Sequence, residues 1–96
     1  MEEIHQIQER VKQFVIDTSY ISEDEVKFDT LIFAQGIMDS MGFISIIDFI
    51  EENFSITAAD NELLESNFES INAIAEFIIR KKQFAVNQLS QLESIN

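Results

Sequence analysis

The sequence predicts an all-α fold built as a four-helix bundle, and three observations carry that expectation. The 96 residues contain no Pro and only two Gly, Gly36 and Gly42, whereas a sandwich or barrel needs turn residues every few positions. Apolar residues recur at helical spacing in three separate stretches. The chain is 46% hydrophobic, enough for one modest core at this length and not for two.

Residues 2 to about 17 read as the first helix. Ile4, Ile7, Val11, Phe14 and Val15 share one face, and Glu2, Glu3, Gln8, Glu9, Lys12 and Gln13 take most of the rest. Glu2 and Glu3 suit the positive end of the helix dipole. Thr18 to Asp39 is a long connection. Within it Ser22-Glu23-Asp24-Glu25 has capping-box spacing and predicts a short helical turn at 23–26. Phe28, Leu31, Ile32, Phe33, Ile37 and Met38 make this too apolar for a free linker, so it is expected to pack across the helix ends.

The second helix is expected from Ser40 to about Asn53, with Asp39 as its N-cap. Ile46, Ile50 and Phe54 are spaced by four, and Phe43, Ile44, Ile47 and Phe49 widen the apolar face, all read as core. A short third helix is expected at about Asp60 to Leu64, capped by Asp60, with Leu63 and Leu64 facing inward. The fourth begins after Ser70, with Ile71, Ile74, Ala75 and Ile78 as its buried stripe and Phe77 beside it. Arg80, Lys81 and Lys82 are expected to close it at the favourable end of its dipole. The division read from the chain is a domain over 1–83 and a helical extension or flexible tail over 84–96.

Charge and cysteine content narrow the function. Eighteen acidic against six basic side chains give a formal charge of −12. That surface repels nucleic acid and anionic lipid, and it attracts basic protein surfaces. With no Cys, disulfides, cysteine metal sites and a thiol nucleophile of the protein's own are excluded. No apolar run has membrane-spanning length, and the opening Met1-Glu2-Glu3 lacks the layout of a signal peptide, so the expected compartment is the cytoplasm. No window offers a calcium loop, and neither a Gly-x-Ser-x-Gly elbow nor a His partner supports a serine hydrolase. His5 lies far off in the first helix and is read as inert.

The most informative stretch is Gly36-Ile37-Met38-Asp39-Ser40-Met41-Gly42. It sets a serine at the start of the second helix, where unpaired first-turn N–H groups and the dipole favour a phosphate. A Gly in a first helical turn costs roughly 1 kcal/mol against Ala. Gly42 is therefore read as a site where backbone is kept uncluttered for a close approach.

The run Asp29 to Met41, the following Gly42 to Phe54, and the later Asn67-Phe68-Glu69-Ser70-Ile71-Asn72-Ala73-Ile74 together resemble the acyl carrier protein family. The resemblance covers roughly residues 3 to 82. It implies a bundle of acyl-carrier type, with a short third helix and a long loop between helices one and two. It implies that Ser40 carries 4′-phosphopantetheine, installed from coenzyme A by a phosphopantetheinyl transferase, and that the arm's thiol holds acyl groups as thioesters. The protein is then a phosphoprotein carrier and not an enzyme. Asp39 would cap the helix and be read by, or help organise the metal of, the transferase. Met41 stands where the family usually has Leu.

The expected partner surface is Asp39, Met41, Asp48, Glu51 and Glu52, with Asp60, Glu62 and Glu65 adding to it. Its partners would be the transferase, acyl- or aminoacyl-loading ligases and downstream synthases with basic surfaces. Ser45 departs from the Glu that many fatty-acid carriers have there. That sets the chain apart from standard fatty acid biosynthesis, and the expected protein is a stand-alone, monomeric carrier of a polyketide, secondary-metabolite or specialised lipid pathway. Two other readings stay open: an aminoacyl carrier of D-alanyl or peptidyl type, and an unmodified acidic interaction module.

Overall fold

A computed structural model describes the chain from Ile4 to Ile95, with side chains as far as Gln83. Four α-helices follow one another among the described residues: α1 (Ile4–Ser19), α2 (Ser40–Phe54), α3 (Glu65–Phe68) and α4 (Ile71–Ile95). Single 3-10 turns lie at Glu23–Glu25 and Asp60–Glu62, and there is no strand among these residues. The all-helical bundle is the fold expected. No helix among the described residues is long and apolar enough to cross a membrane.

The core is one cluster. Ile7, Val11 and Val15 of α1 meet Ile46, Ile50 and Phe54 of α2 and Ile71, Ile74, Ala75, Phe77 and Ile78 of α4. Each of these Val, Ile and Phe side chains contributes about 1.5–3 kcal/mol by leaving water, and Ala75 less. Ile4, placed on the same face of α1 by its spacing, is 43% exposed and not part of the core. Around the core the rings are paired: Phe14 stacks on Phe49 at 4.3 Å, and Phe54 lies under the guanidinium of Arg10 at 4.3 Å and near the ammonium of Lys82 at 5.8 Å.

The α1–α2 connection packs as its composition requires. Val26, Ile32 and Met38 are buried, and Phe28, Phe33 and Ile37 are half-buried against the core; Leu31 instead points outward, 43% exposed. The segment is stitched to the start of α4 by two backbone bonds, Ile32 N–H to the Glu69 carbonyl (2.9 Å) and Asn72 N–H to the Phe28 carbonyl (2.9 Å). The turn at Glu23–Glu25 forms as predicted, with the Ser22 N–H donating to the Glu25 carboxylate at 2.8 Å.

Two elements differ from expectation. Residues 60–64 do not form an α-helix: a 3-10 turn ends at Glu62, and α3 follows at Glu65–Phe68. Leu63 and Leu64 are 39% and 55% exposed. The side chain that anchors this region is Phe68, fully buried against Phe43 and Phe77, and a helix this short takes its position from such an anchor rather than from its own propensity. The second difference is at the basic cluster. The backbone of α4 runs on to Ile95, so Arg80, Lys81 and Lys82 lie along the helix and not at its end. The predicted start of α4 holds, since the Ser70 hydroxyl accepts from the Ala73 N–H at 3.1 Å.

Helix α1 ends on strained backbone. Tyr20 has φ +57, left-handed geometry that favours Gly or Asn, and its side chain is 94% exposed. With no packing to lose, Tyr20→Gly is expected to raise stability by about 0.5–1 kcal/mol, the strain relieved less the entropy glycine adds to the unfolded chain. A urea denaturation midpoint that falls in the variant would contradict this account of the turn.

Candidate functional site

Ser40 is the first residue of α2 and is exposed. Asp39 caps the helix as predicted: its backbone is extended, its Oδ1 accepts from the Gly42 N–H at 3.0 Å, and its carbonyl accepts from the Phe43 N–H at 3.0 Å. These bonds satisfy the third and fourth N–H groups of the turn. The N–H groups of Ser40 and Met41 precede the first intrahelical bond, so they face outward with the positive end of the dipole.

Gly42 is buried, and the reason is not the one its position suggests. A Cβ built there would lie 3.0 Å from both Cβ and Cε of Met38. The close approach is therefore between α2 and the chain's own Met38, which is 6% exposed, and not between the backbone and an incoming group. The second glycine, Gly36, holds φ +75 with open space around it, so there the conformation alone calls for glycine.

Beside Ser40 opens a cleft of about 730 Å³, lined by Phe33, Met38, Asp39, Ser40, Phe43, Ile44, Leu63 and Glu65. Its floor is hydrocarbon and aromatic ring, with carboxylates at the rim. Ile44, read as core from its spacing, is 53% exposed and forms part of this wall, because the face of α2 is wider than its neighbours cover. Leu63 and Phe33 gave no sign of lining a site in the sequence; they arrive through the 55–64 connection and the α1–α2 connection, whose paths no local spacing encodes.

The acidic residues expected on the partner surface divide into two groups. Asp48 and Glu52 of α2 and Asp60 of the following turn are exposed, and Met41 of α2 is 68% exposed. Glu51 turns inward to accept the Ala58 N–H at 3.0 Å, tying down the connection after α2. Glu62 binds Lys81 Nζ at 2.8 Å and accepts the Ala59 N–H at 2.9 Å. Ser45, where the resemblance leads one to expect Glu, hydrogen-bonds back to the Met41 carbonyl at 3.0 Å, which leaves no charge at that point of α2.

Those bonds have a pH consequence. The Lys81 hydrogen bond, then the Ala59 N–H, hold the Glu62 carboxyl below its ordinary value of 4.5, against a small opposing effect of burial. A carboxyl lowered in the folded state contributes stability that is complete above the unfolded value and is lost as the pH falls through the folded one. Wild type should therefore exceed Glu62→Gln in stability at about pH 6, and that advantage should shrink steadily as the pH falls below the ordinary carboxyl value. The difference at the upper end should stay below about 1 kcal/mol, since the pair is partly solvated. Denaturation midpoints of the two proteins that run parallel across this range would contradict it.

Comparison with known proteins bears on what the site is. Residues 9–78 match the family described as "Phosphopantetheine attachment site". Over 70 residues the chain is 29% identical to an "Acyl carrier protein" of Petrotoga mobilis (strain DSM 10674 / SJ95), an alignment covering 71% of this chain and 82% of that protein. The chain belongs to the phosphopantetheine-attachment family. Its prosthetic group is 4′-phosphopantetheine, and its role is that of a carrier and not of a catalyst.

The site fits that group on its own geometry. An exposed hydroxyl sits at a helix start where two N–H groups have no helical partner, which suits a phosphodiester. The adjoining cleft is large enough to receive the arm or what it bears. The bound group supplies a thiol, the chemistry that a chain without cysteine lacks. The protein's own residues supply position: Asp39 fixes the first turn of α2, Met38 packed on Gly42 fixes where the connection enters it, and Phe33, Phe43 and Leu63 shape the space alongside.

Proposed function

We propose that Ser40 is the residue that bears 4′-phosphopantetheine and that the arm carries acyl groups as thioesters between enzymes of a polyketide, secondary-metabolite or specialised lipid pathway. The observation that supports this best is the exposed Ser40 hydroxyl at the start of α2, opening directly onto a cleft floored by Phe33, Met38, Phe43, Ile44 and Leu63. Hydrocarbon lining favours an acyl chain over an aminoacyl group, whose ammonium would lose hydration there. Basic partner surfaces meet Asp48, Glu52 and Asp60, with Met41 as the apolar contact; Glu51 and Glu62 serve mainly to hold the connection between α2 and α3. The carrier domain is the 1–83 portion, whose last described core residue is Ile78, and α4 beyond it is a helical extension.

Intact mass tests the reading. Incubated with a broad-specificity phosphopantetheinyl transferase and coenzyme A, the wild-type chain is expected to gain one phosphopantetheine, and Ser40→Ala none. Because Ser40 is exposed and Asp39 provides the cap, the variant should keep wild-type stability. A folded wild-type sample that gains no mass, or a Ser40→Ala sample that does, would defeat the assignment.

A further inference from the structure

One wall of the cleft beside Ser40 belongs to a segment with little core of its own. Residues 59–65 give the cleft Leu63 and Glu65, yet the 3-10 turn within them has no buried residue, and the leucines are exposed. What holds the turn is polar. Glu62 Oε1 accepts both the Ala59 N–H (2.9 Å) and Lys81 Nζ (2.8 Å). The Asn67 amide donates to the Glu62 carbonyl at 2.9 Å, and its oxygen accepts from Arg80 at 3.3 Å. Lys81 is the closer of the two cations and the more sheltered, its side chain 22% exposed. Both project from α4 beyond residue 78, where the family match ends, so this tie comes from a part of the chain outside that match.

We propose that Lys81 is a positioning residue for the cleft: its bond to Glu62 sets how firmly the 59–65 wall stands opposite Phe43 and Ile44, and so how well a group beside Ser40 is sheltered. The sheltering rests on the carrier function proposed above; the placement of the wall does not. The alternative is that Phe68 alone holds the wall, in which case removing the ammonium changes nothing there.

Amide hydrogen exchange on the unmodified full chain separates the two. In Lys81→Met, amides of residues 59–65 should exchange about two- to five-fold faster while those of Ile46 and Ile50 in α2 stay unchanged, and Lys81→Arg should restore the wild-type pattern. Glu62→Gln, which weakens the same bond from its other end, should reproduce the Lys81→Met result. Unchanged exchange at 59–65, or a rise shared equally with α2, would overturn the proposal. A second reading uses protein bearing phosphopantetheine and an octanoyl thioester. Hydroxylamine should cleave that thioester faster in Lys81→Met by a similar factor, with recovery in Lys81→Arg; equal cleavage in all three refutes the sheltering role. Should no variant and no wild type take up the arm, the carrier assignment fails, while the exchange data still decide the role of Lys81.

Discussion

Phe68→Ala is expected to cost about 3–5 kcal/mol of stability, enough to unfold much of a marginal small domain. Phe68 is fully buried, and it is the one buried residue of α3. Its ring lies edge-on to Phe43 at 5.4 Å and Phe77 at 5.0 Å, and Phe43 in turn meets Phe33 at 5.8 Å. These four rings join the α1–α2 connection, α2, α3 and α4. Truncation leaves a cavity at their junction and withdraws what fixes a four-residue helix that could not persist by itself. Exchange at residues 63–69 should therefore rise further than global unfolding accounts for. A loss in urea denaturation below about 1 kcal/mol would mean that the region collapses onto the gap and that the anchor lies elsewhere.

Gly42→Val carries the second large effect, a loss of about 3 kcal/mol. A single added Cβ already meets two atoms of Met38 at 3.0 Å. The Cε end of that side chain can swing away, but its Cβ is fixed to the backbone of the residue preceding Asp39. Valine adds two further methyl groups to a filled space, and overpacking of this kind costs about 1–3 kcal/mol, with little helix propensity returned. Gly42→Ala should lose less, since roughly 1 kcal/mol of propensity offsets the crowding. Relief supplies the control. In a Met38→Ala background, which removes the Cε contact but keeps the Cβ, the added penalty of Gly42→Val should fall in part without vanishing, a coupling that a double-mutant cycle measures. Additive losses would show that the glycine is needed for some reason other than Met38. Crowding here also displaces the Met38–Asp39 approach to α2, so the rate of phosphopantetheine transfer should fall along with stability.

The sequence made some of this plain and concealed the rest, for definite reasons. Helices α1 and α2 were legible because each buries one regular face, Ile7-Val11-Val15 and Ile46-Ile50-Phe54. The Asp39 cap was legible because capping is a contact within four residues. The course from Ser55 to Phe68 was not. Leu63 and Leu64 are apolar neighbours that look like core, yet the turn before them is held by a carboxylate bonded to a lysine nineteen residues onward, a pairing that no local pattern announces. Ile44 was assigned to the interior for the same reason: spacing tells which residues share a face but not how far the neighbouring helices cover it. At the candidate site the hydroxyl and its cap could be named from the chain. The cleft could not, because Phe33 and Leu63 reach it through irregular backbone.

The basic side chains have a consequence for how this protein meets others. Of the six, five lean on the chain itself: Arg10 and Lys82 on Phe54, Lys12 on Glu23, Arg80 on Phe77 and Lys81 on Glu62. Even with all six cations counted the chain keeps a formal charge of −12, so an approaching molecule meets a surface of predominantly one sign. Collisions with a positively charged enzyme should then slow sharply as ionic strength rises and the Debye length shrinks from about 10 Å at 0.1 M towards about 3 Å at 1 M, while the lifetime of the complex once formed changes far less.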